Sequence, residues 1–175
     1  MMKRIISVIL RKDIYCAFLV CYGCVLIPFT AFFVFIGIKL DDFLGLPKLI
    51  PKPYNLILFI LFFLLGLGIV LWAYSYLAIE GKGSFSPYFG KTKQLVKTGP
   101  YSIVRHPSII GKLFGVISLG FLFQSYSFVF IIVPILLIGS LMEKVLREEK
   151  LLEKIWGIEY IKYKKSIPMI IPRFR

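Results

Sequence analysis

Three long uncharged apolar runs decide what this chain can fold into. Residues 14–38 and residues 54–79 carry no Asp, Glu, Lys or Arg, and residues 113–142 form a third such run. A helix rises 1.5 Å per residue, so the first run alone makes a helix of roughly 37 Å, long enough to cross a ~30 Å hydrocarbon layer with some tilt. With 58% hydrophobic residues in 175 positions, the expectation is an all-α, polytopic membrane bundle forming one domain, residues 1–175.

The third run sets the topology. As one helix its 30 residues would span about 45 Å, well beyond the hydrocarbon layer. Its middle is polar, with Gln124, Ser125, Tyr126 and Ser127 in succession. The run therefore reads as a tight hairpin, one arm from about Pro107 to Phe123 and the other from about Tyr126 into the Glu148 region. That makes about four transmembrane helices, the last two a hairpin, with a cytoplasmic C-terminal segment. Gly111, Gly115 and Ser118 put small residues along one face of the first arm, and Gly66 and Gly68 do so on the second span, as close helix contacts in lipid require.

Charge agrees with this count. The net charge of +13 would suggest nucleic acid in a soluble protein, but here the cations flank apolar spans, as the positive-inside rule describes. Four spans place the basic stretch around Lys82, Lys91, Lys93, Lys97 and Arg105 on the same side as the basic tail. Both termini are then cytoplasmic. No nucleic-acid signature is present, and the first apolar run is too long and wrongly flanked for a cleavable signal peptide. Met1–Asp13 reads as a short basic interfacial segment, Lys39–Pro53 as a loop, and Glu80–Thr98 as a connector along the headgroups. Trp72, Tyr74 and Tyr76 suit interfacial anchors.

The three cysteines, Cys16, Cys21 and Cys24, all fall in the first span. A Cys-x-x-Cys pair invites a zinc or redox reading, yet no histidine or second pair accompanies it, so apolar packing is the better account and no metal site is expected.

Polar chemistry concentrates at the mouth of the hairpin. The stretch Gly99–Gly111, GPYSIVRHPSIIG, holds the chain's single histidine, His106, beside Arg105 and ahead of Pro107. A basic pair before a helix-starting proline has a plain explanation at a membrane surface. The second arm, however, ends in Glu148 and Glu149, and Gly157 then separates it from a segment bearing Tyr160 and Tyr163. Leu152, Trp156, Tyr160 and Tyr163 also fit a plain amphipathic surface helix. Ionisable groups at membrane level are nevertheless a functional signal.

The two stretches together resemble the membrane methyltransferases that include isoprenylcysteine carboxyl methyltransferase and the phospholipid N-methyltransferases. The likeness covers roughly Trp72–Arg173, including a glycine-proline loop at Gly81–Pro87. It implies a cofactor-binding core at about residues 80–175 and S-adenosylmethionine as donor, bound at the cytoplasmic helix ends under the C-terminal segment. The acceptor it implies is lipid-borne or amphipathic and reached from the bilayer. The family's motifs fall on Gly99, Pro100, Tyr101, Arg105, His106, Pro107, Glu148, Glu149, Tyr160 and Tyr163. Arg105, His106 and Glu149 are the expected catalytic residues. The family usually has tyrosine two residues after its Arg-His-Pro proline, where this chain has Ile109.

Chemically, the donor carries a carboxylate, an ammonium, a sulfonium and an adenine. Arg105 or His106 suits the carboxylate, Glu149 or Glu148 the ammonium, and Tyr101, Tyr160 or Tyr163 the adenine or sulfonium. The preferred acceptor is an isoprenylcysteine-like carboxylate, with a phosphatidylethanolamine-type amine as the alternative. An NADPH-dependent sterol-type reductase and a non-catalytic scaffold are the remaining readings; the former needs more spans than this length holds.

Overall fold

In the computed structural model, residues 27–81 and 94–172 are described, and among them there is no strand. The cysteines, the segment Met1–Asp13 and nearly all of the Gly81–Pro87 loop lie outside the described residues.

Among the described residues five helices follow in order: α1 (Ile27–Leu44), α2 (Tyr54–Glu80), α3 (Pro107–Phe123), α4 (Phe128–Trp156) and α5 (Ile158–Ser166). α2 and α4 are long and apolar enough to cross a membrane, and α3 is a shorter apolar helix. Only 17% and 11% of their most apolar windows are buried. A core helix of a water-soluble protein hides its apolar surface, whereas α2 and α4 turn Leu61, Leu64, Ile135 and Ile138 outward.

The hairpin expected from residues 107–142 is present. Gln124 ends α3 in the left-handed conformation, φ 57° and ψ 39°, and its N–H caps the Gly120 carbonyl. α4 then returns. α1 departs from expectation, because its helix continues through Lys39, Asp41 and Asp42 to Leu44 instead of giving way to a loop. The buried Asp41 carboxylate accepts the Ser127 backbone N–H at 2.8 Å, supplying an acceptor for an N–H at the start of α4. Gly37 lets α1 lie close to the same region: a Cβ there would stand 2.7 Å from Phe128 Cβ. Val34, Phe128, Ile132 and Val133 form the small core behind this junction.

The tightest seam joins α2 to α3. A Cβ on Gly66 would lie 2.6 Å from the Gly111 carbonyl oxygen, and a Cβ on Gly111 would lie 2.7 Å from Val70 Cγ2. These contacts are with backbone or a stiff β-branched chain, so neither side can yield cheaply. Gly68, expected to share this role, has nothing within 4 Å among the described residues. The seam fixes the N-terminal end of α3 relative to the far end of α2, which is where Arg105 and His106 sit.

Gly66→Ala and Gly111→Val should each destabilise the protein by about 1–3 kcal/mol through forced separation of the helices, whereas Gly68→Ala should be neutral or slightly stabilising. Thermal unfolding of the detergent-solubilised variants measures the contrast.

Candidate active site

The site is assembled from the start of α3, the end of α4 and all of α5. Gly99–Ser102 makes a single 3-10 turn, opened by Gly99 at φ 58°. A Cβ on Gly99 would meet the Tyr76 ring at 2.3 Å, so both the backbone sign and the ring require glycine. Tyr76, expected only as an interfacial anchor, therefore seats this turn. Pro107 opens α3 where its missing N–H is no loss, and His106 occupies the N-cap position without a side-chain cap bond. The imidazole is thus free to face α4.

On α4, residues Lys144–Glu149 form a π-helical stretch, a feature that often marks functional positions. Glu148 and Glu149 both reach His106 from it: Glu149 Oε1 lies 3.3 Å from Nε2 and Glu148 Oε1 lies 3.8 Å from Nδ1. Glu149 is 1% exposed and is the hub. Arg105 Nη1 lies 2.6 Å from its Oε1, and Lys164 Nζ of α5 lies 2.9 Å from its Oε2. Glu148 pairs with Lys144, and Lys164 also holds Glu153 at 2.8 Å. The bonds to Glu153 and Glu149 raise the Lys164 pKa above its ordinary value, so it is a cation at neutral pH.

Gly157, with φ 51° and ψ −128°, breaks the chain direction between α4 and α5 and folds α5 back onto the cluster. Tyr160 and Tyr163 form its buried face, their rings 6.0 Å apart. The Tyr163 hydroxyl donates to the Tyr101 carbonyl at 2.7 Å, while the Tyr101 hydroxyl turns toward the Ala73 carbonyl on α2 at 3.4 Å. Burial pushes the hydroxyls of Tyr101, Tyr160 and Tyr163 up from the ordinary tyrosine value, so all three stay neutral donors. Beyond α5 the chain closes over the motif: Arg105 and His106 donate their backbone N–H groups to the carbonyls of Pro168 (2.9 Å) and Met169 (3.1 Å).

Arg105, His106, Glu148, Glu149, Tyr160 and Tyr163 therefore converge, with Pro100 and Pro107 buried beneath them. Ile109 is 5% exposed in the first turn of α3, its N–H bonded to the His106 carbonyl. Lys144, Glu153, Lys164, Tyr76 and the Pro168–Met169 backbone complete the site without having been expected from sequence. For Lys164 the only signal was its place directly after Tyr163 in a lysine-rich run.

The buried polar atoms without a well-aligned hydrogen-bond partner among the described residues include Arg105 Nε and Nη1, Trp156 Nε1 and the Tyr160 hydroxyl. The Arg105 guanidinium and the Tyr160 hydroxyl are near neighbours that act on each other through charge and hydrogen bonding. Unmet buried donors beside a guanidinium fit a ligand that brings an acceptor oxygen, such as a carboxylate.

Exposed apolar helices with a charged cluster at one end suit a membrane protein that works where lipid meets water. Residues 54–159 match the phospholipid methyltransferase family, and the chain belongs to it. It is accordingly an integral membrane methyltransferase with S-adenosylmethionine as methyl donor. Neither the curated proteins nor the solved structures contain a match.

Glu149→Ala should cost about 3–5 kcal/mol, because it strands a buried guanidinium and frees Lys164. Glu153→Ala, removing a partly exposed partner of the same lysine, should cost less than about 1 kcal/mol. Denaturant or thermal unfolding in detergent distinguishes a hub from a peripheral pair.

Proposed function

We propose that the cluster of Arg105, His106, Glu148 and Glu149 binds S-adenosylmethionine and directs its methyl group to the carboxylate of a lipid-borne, isoprenylcysteine-like acceptor. The carrying observation is that no base in the cluster stands free. Both His106 nitrogens face carboxylates, and among Glu148, Glu149 and Glu153 each is engaged by a lysine, an arginine or the imidazole. A carboxylate acceptor arrives already nucleophilic and needs no proton removed. An ammonium acceptor must first lose one.

In this reading Arg105, with its unmet Nε, and Tyr160 receive the donor's carboxylate, and Glu148, more open than Glu149, receives its ammonium. Glu149 positions Arg105 and His106. When bound, S-adenosylmethionine supplies an electrophilic methyl on a sulfonium that leaves as a neutral thioether. Tyr101, Tyr160 and Tyr163 wall the site with neutral aromatic surface, and the Pro168–Met169 strap limits water. Catalysis then rests on in-line placement and exclusion of water. Four spans, with both termini cytoplasmic, bring the site to the cytoplasmic face, where an apolar chain enters from the bilayer while its carboxylate stays at headgroup level.

A second reading is methylation of a phosphatidylethanolamine-type amine, which the description of the matching family favours. Both readings share the donor site.

The protein purified in detergent should bind S-adenosylmethionine, and Arg105→Ala or His106→Ala should weaken binding at least about tenfold, as expected for a lost charge-assisted contact. Undiminished binding in both variants would refute the site. With labelled donor, a farnesylcysteine analogue should yield base-labile methyl ester at a rate nearly flat from pH 6 to 9. Label found only on phosphatidylethanolamine amine, at a rate climbing with pH, would establish the second reading instead.

A further inference from the structure

α5 has two faces with different tasks. Tyr160 and Tyr163 point inward onto the site, at 1% and 7% exposure. Opposite them, Ile158, Ile161, Lys162 and Lys165 recur at i, i+3, i+4 and i+7, the spacing of a single helix face. All four are exposed, Ile158 at 72%. The last turns of α4 add a second exposed basic stripe, Arg147, Lys150 and Lys154. The acids nearby are engaged elsewhere: Glu153 holds Lys164, and Glu159 holds Lys97 at 2.5 Å. The outward face is therefore apolar and cationic together.

Helix length fixes the level at which this face sits. α3 has 17 residues, so His106 stands about 26 Å from the hairpin turn at Gln124. That is close to one hydrocarbon thickness. Because Lys164 and Tyr163 of α5 contact Glu149 and Tyr101, α5 lies at the same level, at the boundary of the bilayer that α2 and α4 cross. Exposed isoleucines flanked by lysines are the composition of a helix resting in a headgroup layer. A second copy of this face would oppose it with like charges.

We propose that the outward face of α5, with the basic stripe at the end of α4, docks on anionic phospholipid headgroups. Ile158 and Ile161 enter the acyl boundary, and Lys162, Lys165, Lys154 and Lys150 meet lipid phosphates. The docking has a mechanical consequence. α5 delivers Lys164 and Tyr163 to the cluster and leads directly into the Pro168–Met169 carbonyls that hold Arg105 and His106. Anchoring it on lipid orders the segment that covers the site. The docking stands independently of the proposed reaction, whereas this effect on the donor rests on that reading.

The test places the full chain in nanodiscs of pure phosphatidylcholine or with about 30% phosphatidylglycerol, and follows amide hydrogen exchange of residues 158–172 and binding of S-adenosylmethionine. Anionic lipid should slow exchange across α5 roughly thirtyfold, the scale expected for a pair of lysines near a charged surface. High salt should erase the difference, as should Lys162→Gln combined with Lys165→Gln, substitutions outside the donor cluster. Equal exchange in both bilayers, or a lipid effect surviving both high salt and the double variant, overturns the proposal. Slowed exchange with no donor binding in either disc would retain the docking and reject the reaction.

Discussion

Everything near the site depends on keeping one carboxylate, that of Glu149, charged while 1% exposed. A buried ion of this kind persists only when its oxygens are matched by cations and donors. Three residues on two elements supply them: Arg105 and His106 at the start of α3, and Lys164 on α5. Each interaction demands a backbone arrangement. Pro107 must open α3 there, α4 must widen into a π-helical stretch, and Gly157 must reverse the chain. The requirement runs from one charge outward to the placement of three helices.

The charge cluster would be of little use on a loose frame. Gly66 and Gly111 bring α2 and α3 together at backbone distance, and Gly99 lies under the Tyr76 ring. In lipid, helix association gains little from apolar burial and relies on close packing. Glycine at 66 and 111 replaces side-chain volume with direct backbone contact, and glycine at 99 leaves room for the ring. The turn carrying Tyr101 and the helix carrying His106 are thereby referred to the same rigid element, α2.

The hairpin was legible because a physical length excludes the alternative: 30 uncharged residues are too many for one crossing, and Gln124–Ser127 offers the place to turn. The convergence of Arg105 and His106 with Glu148 and Glu149 followed from that turn. Other features left no such trace. Lys39, Asp41 and Asp42 look like the end of a span, yet helices tolerate charges at their ends, and Asp41 is occupied with the Ser127 N–H. A π-helical stretch has no side-chain signature, so the shared aim of Glu148 and Glu149 at one imidazole was unreadable. Lys164 was hidden among lysines because only its helical phase separates it from Lys162 and Lys165. Gly68 shows the converse, since glycine spacing alone does not tell which of two residues meets a neighbour.

That helical phase also connects the site to its surroundings. On α5, residues 160, 163 and 164 face the cluster while 158, 161, 162 and 165 face out. Nine residues thus carry both the inner wall of a polar site and an outer surface suited to lipid. A soluble methyltransferase can close over its donor with a lid moving through water. Here the covering segment follows one glycine after a membrane-crossing helix, so its inward and outward contacts are mechanically the same event. In the docking proposed above, an enzyme whose acceptor comes from the bilayer gains from this arrangement, because the lipid surface that presents the acceptor is also the surface on which the covering segment rests.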